Sequence, residues 1–157
     1  MSEEQPFVPK VNVIGSEEVK KPRLGAILFC EYAAITEKGT YLFAGCFERF
    51  AFTKDEPKVT SHFFLYVRAS QTREGDFQVA IIDPNDTTIL AFSYDLTSAG
   101  LLPDLPASVH FIQKVKFPVK TEGTYWVDVS FKGESLGGAP LLVDFQKEEA
   151  SEDGSKS

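Results

Sequence analysis

Residues 121–132 read TEGTYWVDVSFK, and the alternation within this stretch decides the fold class. Successive side chains of an extended chain point to opposite faces, so every second residue shares one side. One side of this stretch carries four large apolar residues: Tyr125, Val127, Val129 and Phe131. Trp126, the single tryptophan of the chain, falls on the other, mostly polar side. One buried apolar face and one solvent-exposed polar face are typical of an antiparallel sheet, and they predict that the Trp126 ring points away from the core.

The same rhythm continues through the middle of the chain. Short apolar runs alternate with turn sequences at intervals of roughly 8 to 12 residues, which is typical of an all-β sandwich or barrel. The run at residues 24–35 also fits a helical stripe, but Gly25 would weaken a helix, so we predict a strand there. Eight strands are predicted in total: LGAILFCEY, TYLFAGCFERF, SHFFLYVRAS, DFQVAII, TTILAFSY, SVHFIQKVKF, TYWVDVSFK and PLLVDFQ. The predicted fold is an all-β, antiparallel β-sandwich.

Composition divides the chain into one domain and two polar ends. Residues 1–22 mix charged residues with prolines and have no sustained period, which predicts a flexible N-terminal arm. Residues 147–157 are charged and polar and predict a disordered acidic tail. The sandwich is expected at residues 23–146, and at this size it needs no metal or disulfide to hold a core.

Charge and hydropathy exclude several function classes. The net charge is −7, and no stripe of basic residues suits a phosphate backbone, so nucleic acid is not an expected partner. No apolar run reaches the length of about 20 residues that spans a bilayer, and no membrane partner is expected. The N-terminal sequence MSEEQPFVPK is unlike a secretory signal, which predicts a cytoplasmic protein with reduced thiols. No cofactor motif is present, and no cofactor is predicted.

Two resemblances bear on the fold. The sequence EGTYWV resembles the start of the sixth strand in immunoglobulin-like sandwiches, where a tyrosine hydroxyl ties back the corner. Glu122, Gly123 and Tyr125 match that pattern, whereas Val127 stands where antibody domains have cysteine. The resemblance implies an immunoglobulin-like or related Greek-key order of about eight strands, without membership in the antibody family.

The second resemblance covers most of the ordered body. It is carried by LGAILFCEYAAI, AGCFERF and FPVKTEGTYWVDVSFKGESLG, which are similar to an uncharacterised family of small bacterial β-sandwich proteins. The matching positions are Cys30, Glu31, Tyr32, Gly45, Phe47, Pro118, Gly123 and Tyr125. These residues are strand and turn residues, so the resemblance implies a fold and a bacterial or phage source and assigns no catalytic residue.

Candidate catalytic and metal-binding residues are few. His62 and His110 stand outside any nucleophile or metal motif, and we expect surface positions for both. The sequence IIDPNDTT offers Asp83, Asn85 and Asp86 as Ca²⁺ ligands, but three oxygens are too few without a second loop. The alternative is a tight turn with Pro84 second and Asn85 third, which we favour, and no metal site is predicted.

The two cysteines are placed by the geometry of the first hairpin. If TEKG at residues 36–39 is its tip and pairing is symmetric about Lys38, Cys30 and Cys46 face one another. Two buried reduced thiols are the favoured interpretation, and a cross-strand disulfide or a redox role is the alternative.

The most specific surface hypothesis is an interaction patch of aromatic residues on the outer face of a sheet. On the strand SHFFLYVRAS, Phe64, Tyr66 and Arg68 point away from Phe63 and its inward neighbours. If that strand shares a sheet with TYWVDVSFK, these residues and Trp126 form one outer patch of the types that dominate interfaces. The alternative is that the arm, or the stretch from Asp95 to Pro106, covers an aromatic face.

These observations predict a non-catalytic binding or assembly module that acts through a sheet face or end loops. Its expected partner is a protein or a second copy of the chain. The alternative is a hydrolase or carbohydrate-active enzyme with carboxylates gathered at one end of the sandwich. The carboxylates that this alternative needs are Asp83, Asp86, Asp95 and Asp104.

Overall fold

The computed structural model of the protein describes residues 22–53, 62–72, 75–96 and 107–146, and these residues contain nine strands. The strands are β1 (Arg23–Ile35), β2 (Tyr41–Phe47), β3 (Arg49–Thr53), β4 (Phe63–Thr72), β5 (Asp76–Ile82), β6 (Thr88–Asp95), β7 (Ala107–Val115), β8 (Gly123–Phe131) and β9 (Glu134–Gln146). The chain is thus all-β in its described part, as predicted. Residues 1–21 and the predicted tail at 147–157 lie outside the described residues.

The strands form two sheets. The first sheet has the order β2-β1-β4-β7, and the second has the order β3-β9-β8-β5-β6. Neighbouring strands pair antiparallel except β3 and β9, which run parallel at one edge of the second sheet. Because β2 ends one sheet and β3 begins the edge of the other, the chain changes sheets at Glu48.

Two boundaries differ from the prediction. The run TYLFAGCFERF is two strands, because the chain leaves the first sheet at Glu48, whose carbonyl accepts a bond from the Leu142 amide. The predicted loop GESLGG, residues 133–138, belongs to β9 except for its first residue. That residue, Gly133, forms the turn between β8 and β9 together with Lys132. Both turn residues have positive φ, 48° and 81°, which is what a two-residue type I′ hairpin requires.

One core fills the space between the sheets. It takes alternate residues from each strand, including Phe63, Leu65 and Val67 of β4 and Tyr125, Val127 and Val129 of β8. The Phe63 ring packs edge-on against Phe117, whose ring lies 5.5 Å from that of Tyr125. The Tyr125 hydroxyl donates to the Thr121 carbonyl at 2.9 Å, so this tyrosine ties back its corner as the sequence suggested.

The first hairpin has the predicted register. Cys30 pairs with Cys46, Ala33 with Phe43 and Ile35 with Tyr41, all symmetric about Lys38. At its tip the Gly39 amide donates to the Thr36 carbonyl at 2.9 Å. The DPND turn is also as predicted, with the Asp86 amide donating to the Asp83 carbonyl across Pro84 and Asn85.

Candidate functional site

The Trp126 ring lies on the outer face of the second sheet. Its chain neighbours Tyr125 and Val127 are buried in the core, whereas Trp126 itself is 40% exposed. The indole packs against β9 at Gly138: a Cβ on that glycine would stand 2.6 Å from the indole nitrogen. Glycine at this position therefore lets a large ring lie close to the sheet while keeping much of its surface in water.

Other apolar side chains continue this exposed face. Pro140 pairs directly with Trp126 across β8 and β9, and Leu142, two residues along β9, is 43% exposed. Residues paired across strands share a face, so these three side chains form one outward patch. We call Trp126, Pro140 and Leu142 the tryptophan surface. It is an exposed apolar patch on a face where antiparallel sheets normally carry polar residues.

A groove of about 470 Å³ adjoins the tryptophan surface. It lies where β1 and β2 of the first sheet meet β9 of the second, and it includes Pro140 and Leu142 in its wall. Glu48 is the acidic residue of the lining, and Cys46 contributes a thiol. The remaining lining residues are Ile27, Leu28, Phe29, Phe47 and Ala139. The groove is therefore mainly apolar with one carboxylate.

The predicted patch of Phe64, Tyr66, Arg68 and Trp126 does not form one surface. Its condition was a shared sheet, but β4 belongs to the first sheet and β8 to the second. The sheets pack through their inner faces, so the outward residues of β4 and Trp126 lie on opposite sides of the sandwich. The predicted patch is therefore wrong as one surface: Trp126 belongs to the exposed tryptophan surface, whereas Tyr66, on the other sheet, is only 6% exposed.

Tyr66 is buried outside the core, beneath the first hairpin. In a flat sheet β2 would lie about 14 Å from β7, since neighbouring strands are about 4.8 Å apart. Yet the Tyr41 ring of β2 stacks on His110 of β7 with centroids 4.5 Å apart, and the Phe43 ring lies 4.5 Å from Tyr66. The outer part of the hairpin, residues 31–44, therefore bends back over the outer face of the first sheet. We call these residues the flap.

The bend begins at a glycine. Gly45 has φ 62°, a conformation that side chains rarely adopt, and a Cβ there would meet the Glu31 side chain at 2.6 Å. Phe47 beyond the bend packs on core residue Phe63, whereas Phe43 before it packs on Tyr66. Phe43 and Phe47 are four residues apart and would point to the same face of an uninterrupted strand, yet they reach opposite sides of the sheet.

Beneath the flap lies a polar contact among the rings. The Tyr66 hydroxyl and His110 Nδ1 are 2.7 Å apart, and His110 is half-buried, where the sequence had suggested a surface histidine. Burial lowers the pKa of His110, and the nearby Arg68 charge lowers it further. Burial raises the pKa of Tyr66, with Tyr41 adding to the effect and Arg68 opposing it. Neutral His110 accepting a hydrogen bond from Tyr66 fits both directions.

The other histidine lies at a second, smaller cleft. His62 is exposed as predicted, immediately before β4. It contributes to a cleft of about 210 Å³ whose lining includes Glu31 and Arg49. Arg49 forms an ion pair with Asp144 of β9 at the outer edge of the second sheet. Such an exposed pair contributes little to stability, and the lining of the cleft contains no serine, threonine or cysteine.

The two cysteines meet as the hairpin geometry predicted. Their sulfur atoms are 3.2 Å apart in an unbonded thiol pair. The prediction that both are buried is only half right, because Cys30 is fully buried and Cys46 is exposed. Cys30 lies on an inner strand of the first sheet, whereas Cys46 lies on its edge strand β2.

Of the four carboxylates of the enzyme alternative, the three that the structure describes are not gathered at one end. Asp83 Oδ1 accepts bonds from the Asn85 and Thr87 amides at 2.9 Å each, which is turn chemistry. Asp86 shares that turn, but Asp95 is the last residue of β6, about 23 Å along the strand from its first residue, Thr88. Asp104 lies outside the described residues. No cluster of three potential metal ligands occurs in the described ranges.

The flap could not be predicted from the sequence. The only local signal is Gly45 inside a strand pattern, which suggests a bulge or a close approach of backbone. The two stretches offered as cover for an aromatic face are the arm and the stretch from Asp95 to Pro106, and most of both lies outside the described residues. Within the second stretch, Leu96 is described and packs in the core. The cover of Tyr66 comes instead from the chain's own first hairpin.

Comparison with known proteins gives a family and no activity. The family model of DUF6941, described as a family of unknown function, matches residues 25–144. The search of curated proteins found no match. The part of the chain that the structure describes has no helix long and apolar enough to cross a membrane.

Proposed function

The chain belongs to DUF6941, a family of unknown function, and from its surface we propose that it is a non-catalytic module that binds a protein partner. The partner would contact the tryptophan surface and enter the adjoining groove. The observation that carries the proposal is Trp126, 40% exposed beside Leu142 at 43% on the outer face of a sheet. The predicted bacterial source, cytoplasmic location and immunoglobulin-like order stay predictions.

Leaving this apolar surface in water has a free-energy cost that a bound partner would remove. Tryptophan is enriched among the residues that dominate binding energy, and rigid rings lose little conformational entropy on binding. Trp126 is held against Gly138, so much of its ordering cost is already met in the free protein. The groove beside it offers a concave site for one apolar side chain of a partner.

Charge defines the chemistry of the partner. The chain carries a net charge of −7, and Glu48 stands in the wall of the groove. A segment with apolar residues next to lysine or arginine complements both features. A second copy of the chain would bring another net charge of −7 to the same surface, which opposes self-association. The expected occupant is therefore a different protein with a basic and apolar segment.

The test uses the full chain and a peptide library of random sequence. Peptides selected on the immobilised protein should be rich in aromatic or aliphatic residues flanked by Lys or Arg. Binding of a selected peptide should change the fluorescence of Trp126, which is the only tryptophan. The double variant Trp126→Ser with Leu142→Ser should weaken binding of that peptide, measured by calorimetry, at least about thirtyfold.

Leu42→Ser is the matched control. Leu42 is 51% exposed on β2, away from the tryptophan surface, and its replacement should leave the affinity unchanged. The proposal fails if no basic and apolar peptides are enriched, or if the double variant and the control bind equally well. It also fails if wild-type protein self-associates in sedimentation and the double variant does not, since the occupant would then be a second copy.

A further inference from the structure

Cys30 and Cys46 are held where a disulfide needs no rearrangement of the backbone. They are direct partners in the antiparallel pair of β1 and β2, with sulfur atoms 3.2 Å apart. Directly opposed residues of antiparallel strands have Cα atoms about 4.5 to 5.5 Å apart. Disulfides span Cα separations of about 4.4 to 6.8 Å, so the strands already meet the requirement.

The two thiols differ in access. Cys46 is exposed and lies in the wall of the groove, whereas Cys30 has no exposed surface. Burial, the hydrogen bond to Cys46 and the charge of Cys46 together raise the pKa of Cys30 to about 12. Cys30 therefore stays protonated at neutral pH. A reagent that arrives from solvent meets Cys46 first.

We propose that Cys46 and Cys30 form a dithiol site that reacts with small disulfides of the glutathione class. The Cys46 thiolate attacks one sulfur of the small disulfide, whose S–S bond breaks as one thiolate leaves and takes a proton from water. Cys30 then loses its proton to solvent and attacks the Cys46 sulfur, displacing the second small thiolate. Two protein thiols are oxidised to one disulfide, and one small disulfide is reduced to two thiols.

The second step is favoured by the first. Once Cys46 carries the small thiol, it has no negative charge and no thiol to share a hydrogen bond with Cys30. Two of the three causes that keep Cys30 protonated are then gone, and burial alone remains. The attacking sulfur is held in contact with its target, which replaces a bimolecular encounter by an intramolecular one.

The site also lies at the base of the flap. Glu31 and Gly45, the next residues toward the tip, are where the hairpin bends over Tyr66. A bond between Cys30 and Cys46 would join the two strands of the hairpin immediately before that bend. The reaction with small disulfides would therefore cross-link the two strands at the base of the flap.

The test treats the full-length reduced protein with oxidised glutathione, followed by acid quenching, alkylation and mass spectrometry. The wild type should lose both free thiols, and peptide mapping should find Cys30 linked to Cys46 without bound glutathione. Cys30→Ala should accumulate one glutathione on Cys46. Cys46→Ser should react at least about tenfold more slowly than the wild type, because the remaining thiol is buried.

Three results would overturn the proposal. One is equal reactivity of Cys46→Ser and wild type, and another is stable glutathione on Cys46 of the wild type with Cys30 still free. The third is a dimer linked through Cys46 as the main product. Thermal melts of both variants verify folding, and the peptide map of the wild type decides the question even if one variant does not fold.

Discussion

Replacing Gly138 with alanine tests the placement of Trp126 most directly. A Cβ at this position would stand 2.2 Å from the Val127 carbonyl oxygen and 2.6 Å from the indole nitrogen of Trp126. Ordinary contact begins at 3.4 Å, so the methyl group would overlap a backbone atom by about 1 Å. The indole can turn outward to relieve one contact, but the carbonyl oxygen of Val127 belongs to the backbone of β8, which is paired with β9 on one side and β5 on the other.

The cost has two parts. Overpacking of this kind costs about 1 to 3 kcal/mol, and weakening one ladder hydrogen bond costs about 1 kcal/mol more. We expect Gly138→Ala to lower the free energy of unfolding by about 2 to 4 kcal/mol. At roughly 3 °C for each kcal/mol in a domain of this size, the melting temperature should fall by about 6 to 12 °C.

The measurement is chemical unfolding followed by the fluorescence of Trp126, with emission spectra of the folded state. The displaced indole should emit at longer wavelength, because more of its surface meets water. Gly25→Ala is the control: the nearest atom to its added Cβ is the Arg68 carbonyl oxygen at 3.4 Å, an ordinary contact. Its stability should stay within about 0.5 kcal/mol of wild type. If Gly138→Ala matches Gly25→Ala in stability and emission, the indole does not lie on Gly138 and the reasoning is refuted.

Two further predictions concern the flap. Phe43→Ala should lower the free energy of unfolding by about 1.5 to 2.5 kcal/mol, because it removes a half-buried ring that lies 4.5 Å from Tyr66. Amide hydrogen exchange of residues 31–44 should also become faster. The control Leu42→Ala changes an exposed side chain and should lower the free energy of unfolding by less than about 0.5 kcal/mol. Equal costs for the two would contradict the bend. The pKa of His110 in the folded protein is below its ordinary 6.5. As the pH falls through that value, the unfolded chain therefore binds more protons than the folded chain does, which favours unfolding. The melting temperature should fall between pH 7.5 and pH 5. His110→Gln should lack that part of the decline, and identical pH profiles for the two proteins would be inconsistent with the buried contact to Tyr66.

The separation of the two surfaces changes which substitutions test binding. Tyr66 lies under the flap at 6% exposure, so replacing it would disturb packing rather than a contact surface. Trp126 and Leu142 are exposed without supporting the core, and their replacement by serine reports on binding with little effect on the fold. The proposed role and the dithiol reaction are tested by different residues, so failure of one leaves the other standing.

The sequence alone determined the local features. Alternation in TEGTYWVDVSFK fixed the strand and the outward direction of Trp126, because side-chain direction in a strand follows from a period of two. Hairpin symmetry about Lys38 paired Cys30 with Cys46, since a short turn sets the register of the strands that it joins. The corner bond of Tyr125 followed from a motif that spans four residues.

Only the tertiary structure decided which faces come together. Sheet membership of β4 and β8 depends on pairing between strands distant in sequence, and no local pattern records it. Whether an outward residue is covered depends on the path of another segment: the bend at Gly45 brings Phe43 onto Tyr66, whereas Trp126, on the other sheet, is 40% exposed. The direction of a side chain is a local property of the backbone, whereas its burial is a property of whatever the rest of the chain places above it.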